Sequence, residues 1–325
     1  MVTAEAPLPS STRALARRVA RGAVAVLPDP ARRAVRLRRR DAASRLVSIA
    51  QLDAVLEQAA ESFARGEDAG RAFLAGVRVA PPTTWPRDPF SAEYRAWVFE
   101  LYARISGRSS YTVAHESSPF DVDAALRRPF PYATGSSVVV GDDLMARGSI
   151  LRALGLAAPA RVVELGPGWG NLTADLAATG HEVTAVDVDE GFCRLVAERV
   201  PGARVVHADM LSFAASHRGR PYDAAVFFES FHHCADHIAL LELLHGVVRR
   251  DGVVVFGAEP VDVLAYPWGP RLDGLSLWSS RRYGWLELGF DERYFASVLR
   301  RKEWTMRRIP GPTPASTIYV ATQAR

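Results

Sequence analysis

From residue 160 onward, short apolar runs alternate with helical periods. Val162–Leu165, Val183–Val186, Val205–His207, Ala224–Phe228 and Val253–Phe256 have the length and β-branched character of strands, and helical spacing fills the stretches near 170–179, 190–199 and 236–249. Apolar strands that run on without alternation, joined through helices, predict a parallel sheet covered on both faces. Asp291–Arg301 predicts a further helix, and Met306–Ile309 with Ser316–Thr322 a closing hairpin or a pair of edge strands. Upstream the pattern is helical. Ile49, Leu52, Leu56, Ala59 and Phe63 share one face of a helix over 41–65, and Ser91–Ile105 buries Tyr94, Trp97, Val98, Leu101 and Tyr102. Turn formers dominate 106–140, after which Asp142–Leu156 returns to helix with Asp142 as its N-cap. The expected fold class is α/β: a mostly parallel sheet with helices on both faces, preceded by a mainly helical region.

Charge divides the chain differently. Residues 1–50 hold eleven arginines against Glu5, Asp29 and Asp41, so the remainder is net acidic although the whole chain of 325 residues is formally +4. A high isoelectric point here describes an Arg-rich leader rather than a basic site. We expect a basic arm over 1–40 with one short helix at Thr12–Val26, a helical or lid region over 41–145, and a main domain over 146–325 with an insertion at 260–290. The leader lacks the apolar core of an export signal. Its simplest reading is a solubilising arm; residues 12–40 are also a candidate for weak contact with an anionic membrane surface. No apolar run reaches the ~18 residues of a membrane span, and two cysteines, Cys193 and Cys234, build no disulfide framework. These features point to the cytoplasm.

The chemistry begins at Glu164-Leu165-Gly166-Pro167-Gly168-Trp169-Gly170, where a strand ends in an acid and a glycine loop before a helix starts near Asn171. Glycines let the backbone approach a ligand and adopt positive φ, and the helix start behind them offers free amides. The spacing differs from the Gly-x-Gly-x-x-Gly of dinucleotide sites, which argues against a nicotinamide oxidoreductase. Asp187 ends the next strand, placed to accept hydrogen bonds from a ribose diol, and Asp209 ends the third, where an adenine amino group would lie. All of these positions fall on the carboxyl edge of the sheet.

Together, Glu164 to Gly170, Asp187, Ala208-Asp209 and the segment Tyr222–Phe228 resemble class I S-adenosylmethionine-dependent methyltransferases, over about residues 145–325. The resemblance implies a Rossmann-like seven-stranded sheet with a reversed final strand. It also implies that Glu164, Gly166, Gly168 and Gly170 hold the methionine end of S-adenosylmethionine, Asp187 and Val188 the ribose, and Asp209 with Met210 the adenine. Looser similarity at Arg128–Gly135, Phe228–His237 and Pro267–Gly274 to bacterial methyltransferases encoded beside sugar-polymer or natural-product genes suggests a small-molecule acceptor.

A sulfonium methyl group is already reactive, so the protein must align the acceptor and help it lose a proton. The fourth strand ends in Phe228-Glu229-Ser230-Phe231-His232-His233-Cys234-Ala235-Asp236-His237. His232 and His233 are the expected general bases, Glu229 an orienting or hydroxyl-binding group, and Asp236 an N-cap. A metal on His233 and His237 with Cys234 or Asp236 is not selected by the spacing, and none is expected. Glu259 also ends a strand on this edge. Tyr266, Trp268, Trp278, Tyr283, Trp285 and Phe290 in the insertion form either a substrate wall or a second small core, while Arg271, Arg281 and Arg282 read as solvated. Segment 107–141, with Tyr111, His115 and Tyr132, is placed to fold over the cofactor.

The fourth strand lacks the Asp/Asn-Pro-Pro-aromatic motif of amino-directed base methylation, so nucleic acid is not an expected partner. The expected activity is methyl transfer to a hydroxyl of a sugar or natural product. N- or C-methylation and a cofactor-binding subunit without turnover stay open, as does the oligomeric state.

Overall fold

The computed structural model describes residues 44–324. Thr12–Val26 and the remainder of the basic arm lie outside them. Residues from Val47 onward form one compact unit; the other unit, residues 1–46, is described only from Ser44 to Leu46.

Among the described residues the central sheet has seven strands: β1 (Arg161–Leu165), β2 (Glu182–Asp187), β3 (Arg204–His207), β4 (Tyr222–Phe228), β5 (Val248–Gly257), β8 (Trp304–Ile309) and β9 (Ile318–Gln323). Two short strands of the insertion, β6 (Trp268–Pro270) and β7 (Leu288–Phe290), pair separately. The order is β8-β9-β5-β4-β1-β2-β3. The first five strands are parallel, and β9 runs antiparallel to both β5 and β8. The reversed last strand and the closing hairpin are therefore both present.

The upstream helices are α1 (Leu52–Ala64), α2 (Glu67–Ala75), α3 (Ala92–Ser106), α4 (Val122–Arg127) and α5 (Ser137–Leu154). Those of the main domain are α6 (Asn171–Ala178), α7 (Glu190–Arg199), α8 (Met210–Ser216), α9 (His237–Val247), α10 (Gly274–Arg282) and α11 (Glu292–Arg301). Alternate residues of β1 and β4 feed two cores. Val162, Ala224 and Val226 pack beneath Ile150 and Leu154 of α5 with Leu172 and Leu176 of α6. Val163, Leu165, Ala225 and Phe227 join Leu240, Leu241, Phe295 and the α3 residues Tyr94, Val98 and Tyr102 on the opposite face.

Three boundaries differ from the sequence expectation. The first helix begins at Leu52 rather than 41; Leu52, Leu56 and Ala59 are buried, while Ile49 sits in the short turn before it. α5 begins at Ser137, capped by the Ser136 side chain, which accepts from the Val139 amide, so Asp142 lies inside the helix. Asp236 precedes α9 without capping it by its side chain and instead pairs with Arg95 of α3 at 3.0 Å.

The insertion is folded, and it packs on the upstream helices. Tyr266, Leu264, Leu272 and Leu277 share a core with Leu52, Val55, Leu101 and Ile105. Tyr94 Oη donates to the Trp268 carbonyl at 2.9 Å, and Trp268 Nε1 donates to the Pro89 carbonyl at 2.9 Å. Buried aromatic groups with satisfied polar tips fix the insertion against the mouth of the sheet. No described helix is long and apolar enough to cross a membrane.

Candidate active site

A cleft of about 1540 Å³ opens at the carboxyl edge of the sheet. It is lined at one end by the glycine loop, Asp187, Val188, Asp209 and Met210, and at the other by Glu229, His232 and His233. Every residue expected from the sequence for either task borders this space, except the buried Glu164 and Gly170, the last glycine of the loop.

The glycine loop is shaped by its neighbours. Gly166, Gly168 and Gly170 have φ of 77°, 48° and 71°, left-handed values that favour glycine. At Gly166 a side chain is also excluded sterically, because a Cβ there would lie 2.5 Å from Ser230 Cβ. Ser230 in turn donates from Oγ to the Leu165 carbonyl at 2.6 Å. The absence of a side chain at Gly166 therefore lets the loop after β4 dock directly on the glycine loop, joining the two halves of the cleft.

Asp187 is buried and already engaged: Oδ2 accepts from the Gly168 amide at 3.2 Å and Oδ1 from the Asp189 amide at 2.9 Å. Burial raises its carboxyl to about 6, against the lowering by these amides. Asp209 is a helix cap as well as a cleft residue. Its Oδ1 accepts from the Leu211 and Ser212 amides at 3.0 and 2.9 Å. Glu164 points beneath the loop, where Thr173 donates to Oε2 at 2.6 Å and Oε1 has no partner among the described residues. Burial pushes its carboxyl up to about 7.

The last two values make a stability prediction. Glu164 and Asp187 have folded values above their ordinary ones, so the folded chain holds their protons more tightly than the unfolded chain does. Their contribution is complete below the ordinary carboxylate range and is lost as pH rises through about 6 and about 7. Thermal denaturation of the ligand-free protein is expected to show a falling melting temperature across that window, and Glu164→Gln to flatten the fall. A melting temperature that rises there contradicts the assignment.

At the other end the two histidines differ. His232 is buried, and its Nδ1 lies 2.8 Å from Glu259 Oε2. Glu259 also accepts the Ser230 and Phe231 amides, each at 2.9 Å, and the His232 amide at 3.2 Å. Burial alone would raise the Glu259 carboxyl, but His232 and these amides outweigh it and hold it below its ordinary value. Glu259, rather than Glu229, therefore orients the imidazole. With Nδ1 turned to Glu259, Nε2 is the ring nitrogen left to meet a ligand in the cleft. His233 lies 3.0 Å from Glu116 through Nδ1. Burial lowers its tendency to protonate, yet Glu116 more than offsets this and lifts it to about 9. The two rings are tilted by 36° to one another, with centroids 4.2 Å apart.

Glu229 opens onto the cleft from a left-handed backbone, φ 52°. A non-glycine residue held there stores strain that the surrounding structure must enforce. The enclosing protein and the nearby Glu259 push its carboxyl up to about 7. His237 belongs to the core: Nε2 lies 2.8 Å from Tyr294 Oη, and burial lowers it to about 3. It does not join Cys234, Asp236 and His233 around any shared point.

Glu116 and Glu287 were not legible as site residues. Glu287 is buried on the insertion, 3.8 Å from His232 Nε2 through Oε2 and 3.4 Å from Arg271. Its one signal is an acid between the buried leucines 286 and 288. Arg271 is not solvated; it pairs with Asp273 and Glu287. Arg281 pairs with Asp53, whereas Arg282 lies over Trp278, 5.2 Å from the ring centre. The aromatic residues of the insertion divide: Tyr266, Trp268 and Phe290 are core, and Trp278, Tyr283 and Trp285 line the cleft. Within 107–141, Ser117 Oγ and the Ser118 amide donate to Asp189 at 2.7 and 3.0 Å, and Phe120 packs on Trp169 and Phe192. The segment is thus tied to the start of α7, beside the glycine loop.

A family model described as a methyltransferase domain matches residues 163–256. That segment, which spans β1 through most of β5, is similar to a methyltransferase domain. The chain is 34% identical over 145 residues to ribosomal RNA small subunit methyltransferase A of Myxococcus xanthus, covering 44% of this chain and 50% of that protein. It is 29% identical over 99 residues to an uncharacterized methyltransferase of Oceanobacillus iheyensis, covering 30% of this chain and 46% of the other. The chain thus spans about half the length of these curated relatives. Among solved structures it is similar to an amino pentose methyltransferase of Micromonospora echinaspora, with 17% identity, 65% of this chain and 100% of that chain covered, and a TM-score of 0.44.

Proposed function

We propose that the protein transfers a methyl group from S-adenosylmethionine to a hydroxyl of a small molecule, a sugar or natural product. The observation that carries the reading is a single cleft bounded by the glycine loop, Asp187 and Asp209 at one end and by a carboxylate-oriented imidazole at the other. The loop amides receive the methionine end of the cofactor, with Glu164 supporting the loop from beneath rather than touching the ligand, Asp187 and Val188 hold its ribose, and Asp209 with Met210 its adenine. The acceptor lies against Trp278, Tyr283 and Trp285, rings suited to stacking on a sugar face or a planar ring system. Its hydroxyl meets the cluster of His232, His233 and Glu229, where the Nε2 lone pair of His232 is the electron pair available to activate it.

A small acceptor is favoured over a nucleic acid by the residues after β4. Glu229-Ser230-Phe231 stands where base-directed enzymes carry a motif for a flipped base, and the Phe231 ring is fully buried in the core rather than open to the cleft for stacking on a base.

Calorimetric titration with S-adenosylhomocysteine tests the cofactor, and transfer of labelled methyl to panels of hydroxyl and amine acceptors tests the chemistry. Binding, preference for hydroxyls, and a loss of about 10²–10⁴ in kcat for His232→Ala are expected. Absence of binding ends the reading. Full turnover in both His232→Ala and His233→Ala ends the assignment of the cluster.

A further inference from the structure

The donor atoms of His232, His233 and Glu287 lie within 4.8 Å of one another. We propose that these three side chains bind a divalent transition cation of the Zn²⁺ or Co²⁺ class, which takes the acceptor's oxygen as a further ligand. The inference rests on the methyl-transfer reading and replaces one step within it: the His232 nitrogen lone pair binds the cation, and the cation rather than the imidazole acidifies the hydroxyl.

Three observations converge. First, two imidazoles and one carboxylate form a donor set suited to such cations, with positions left over for an incoming oxygen. Second, His232 already has the hydrogen-bonded outer partner that metal-bound histidines require, and a buried carboxylate stands at ion-pair distance from His233. A ligating imidazole almost always gives its other nitrogen to a carboxylate or carbonyl, which fixes the ring and raises its basicity. Here Glu259 lies 2.8 Å from Nδ1 of His232, and Glu116 lies 3.0 Å from Nδ1 of His233. Glu287 is in turn steadied by Arg271 at 3.4 Å. Third, negative charge is crowded. Glu116, Glu259 and Glu287 are each at least nine-tenths buried in their side chains, and Glu229 is close by. Arg271 is largely committed to Asp273, with two hydrogen bonds at 3.0 and 3.3 Å. A divalent cation neutralises this excess in a way that a single imidazolium does not.

Coordination requires a modest closure. Metal–ligand distances near 2.0–2.2 Å place neighbouring donors about 3.0–3.5 Å apart, against 3.8 Å between His232 Nε2 and Glu287 Oε2. The three donors lie within 4.8 Å of one another, so binding draws the side chains of the three segments together. A bound cation lowers the pKa of a coordinated hydroxyl. The O–H bond breaks and its proton passes to solvent. The oxygen lone pair forms the new O–C bond while the C–S bonding pair returns to sulfur, giving the methylated oxygen, S-adenosylhomocysteine and one proton.

The test uses the full chain, stripped with a chelator and titrated with Co²⁺, whose visible absorption reports coordination without any turnover. Stoichiometric binding with a d–d spectrum is expected. Glu287→Gln should weaken it at least tenfold, and Glu116→Gln, a conservative change in an outer partner, by about 10–100-fold. His245→Ala, at the Lys302 carbonyl away from the cleft, should leave it unchanged. No Co²⁺ binding, or binding indifferent to Glu287→Gln and Glu116→Gln in folded variants, overturns the proposal. The same samples are titrated with S-adenosylhomocysteine. Nucleoside binding without Co²⁺ removes the cation and keeps methyl transfer. Co²⁺ binding without nucleoside removes the methyl-transfer reading and keeps the cation site.

Discussion

Glu259→Ala is expected to destabilise the protein by about 3–5 kcal/mol, the range for breaking a buried charged network by removing one partner. The Glu259 carboxylate takes three backbone amides, from Ser230, Phe231 and His232, together with the His232 imidazole. Alanine leaves those buried donors without an acceptor, at roughly 1–3 kcal/mol each before relaxation. The cost appears as a lower denaturation midpoint. Its pH dependence is opposite in sign to that of Glu164. The folded value of Glu259 lies below its ordinary one, so its contribution is present above the ordinary carboxylate range and is lost as pH falls below it. Glu259→Gln keeps an acceptor for part of the set and should fall between wild type and alanine. A loss under about 1 kcal/mol for Glu259→Ala, within the range of an ordinary surface substitution, contradicts the anchoring role.

Asp187→Ala is expected to weaken S-adenosylhomocysteine binding about 100-fold, which is about 2.7 kcal/mol. This magnitude corresponds to one or two hydrogen bonds to a charged acceptor. The carboxylate is held in place before any ligand arrives, by the Gly168 and Asp189 amides. Its removal therefore also loosens the glycine loop. Asp187→Asn keeps an oxygen acceptor and should lose less. Calorimetric affinities of the three proteins decide the matter, and equal values remove Asp187 from the cofactor site.

The strands were legible because the central parallel strands, buried on both faces, read as continuous β-branched runs, and acids fall at or just past several strand ends. The start of α5 was harder. Val138-Val139-Val140 followed by Gly141 has the local character of a strand end; the helix there starts from the Ser136 cap and is anchored only further along, at Ala146, Ile150 and Leu154. Asp236 illustrates the same limit: its identity suits a cap, but Arg95, from a helix far upstream in sequence, reaches its carboxylate. At the site, His232, His233 and Glu229 were visible because they are consecutive or nearly so after one strand. The partners that decide what those histidines do were not visible as such. Glu116 comes from a turn-rich segment and Glu287 from the insertion, and only the fold brings either to an imidazole. Glu259 was recognisable as a strand-end acid, yet its work is structural support for the loop rather than contact with an acceptor.

The insertion carries both the cleft-facing rings and Glu287. A chimaera that borrows another enzyme's version of residues 260–290 to change which compound is accepted would thereby discard a carboxylate next to His232, together with Arg271. Wholesale exchange removes those contacts along with the rings, whereas individual changes at Trp278, Tyr283 or Trp285 leave Glu287 and Arg271 in place.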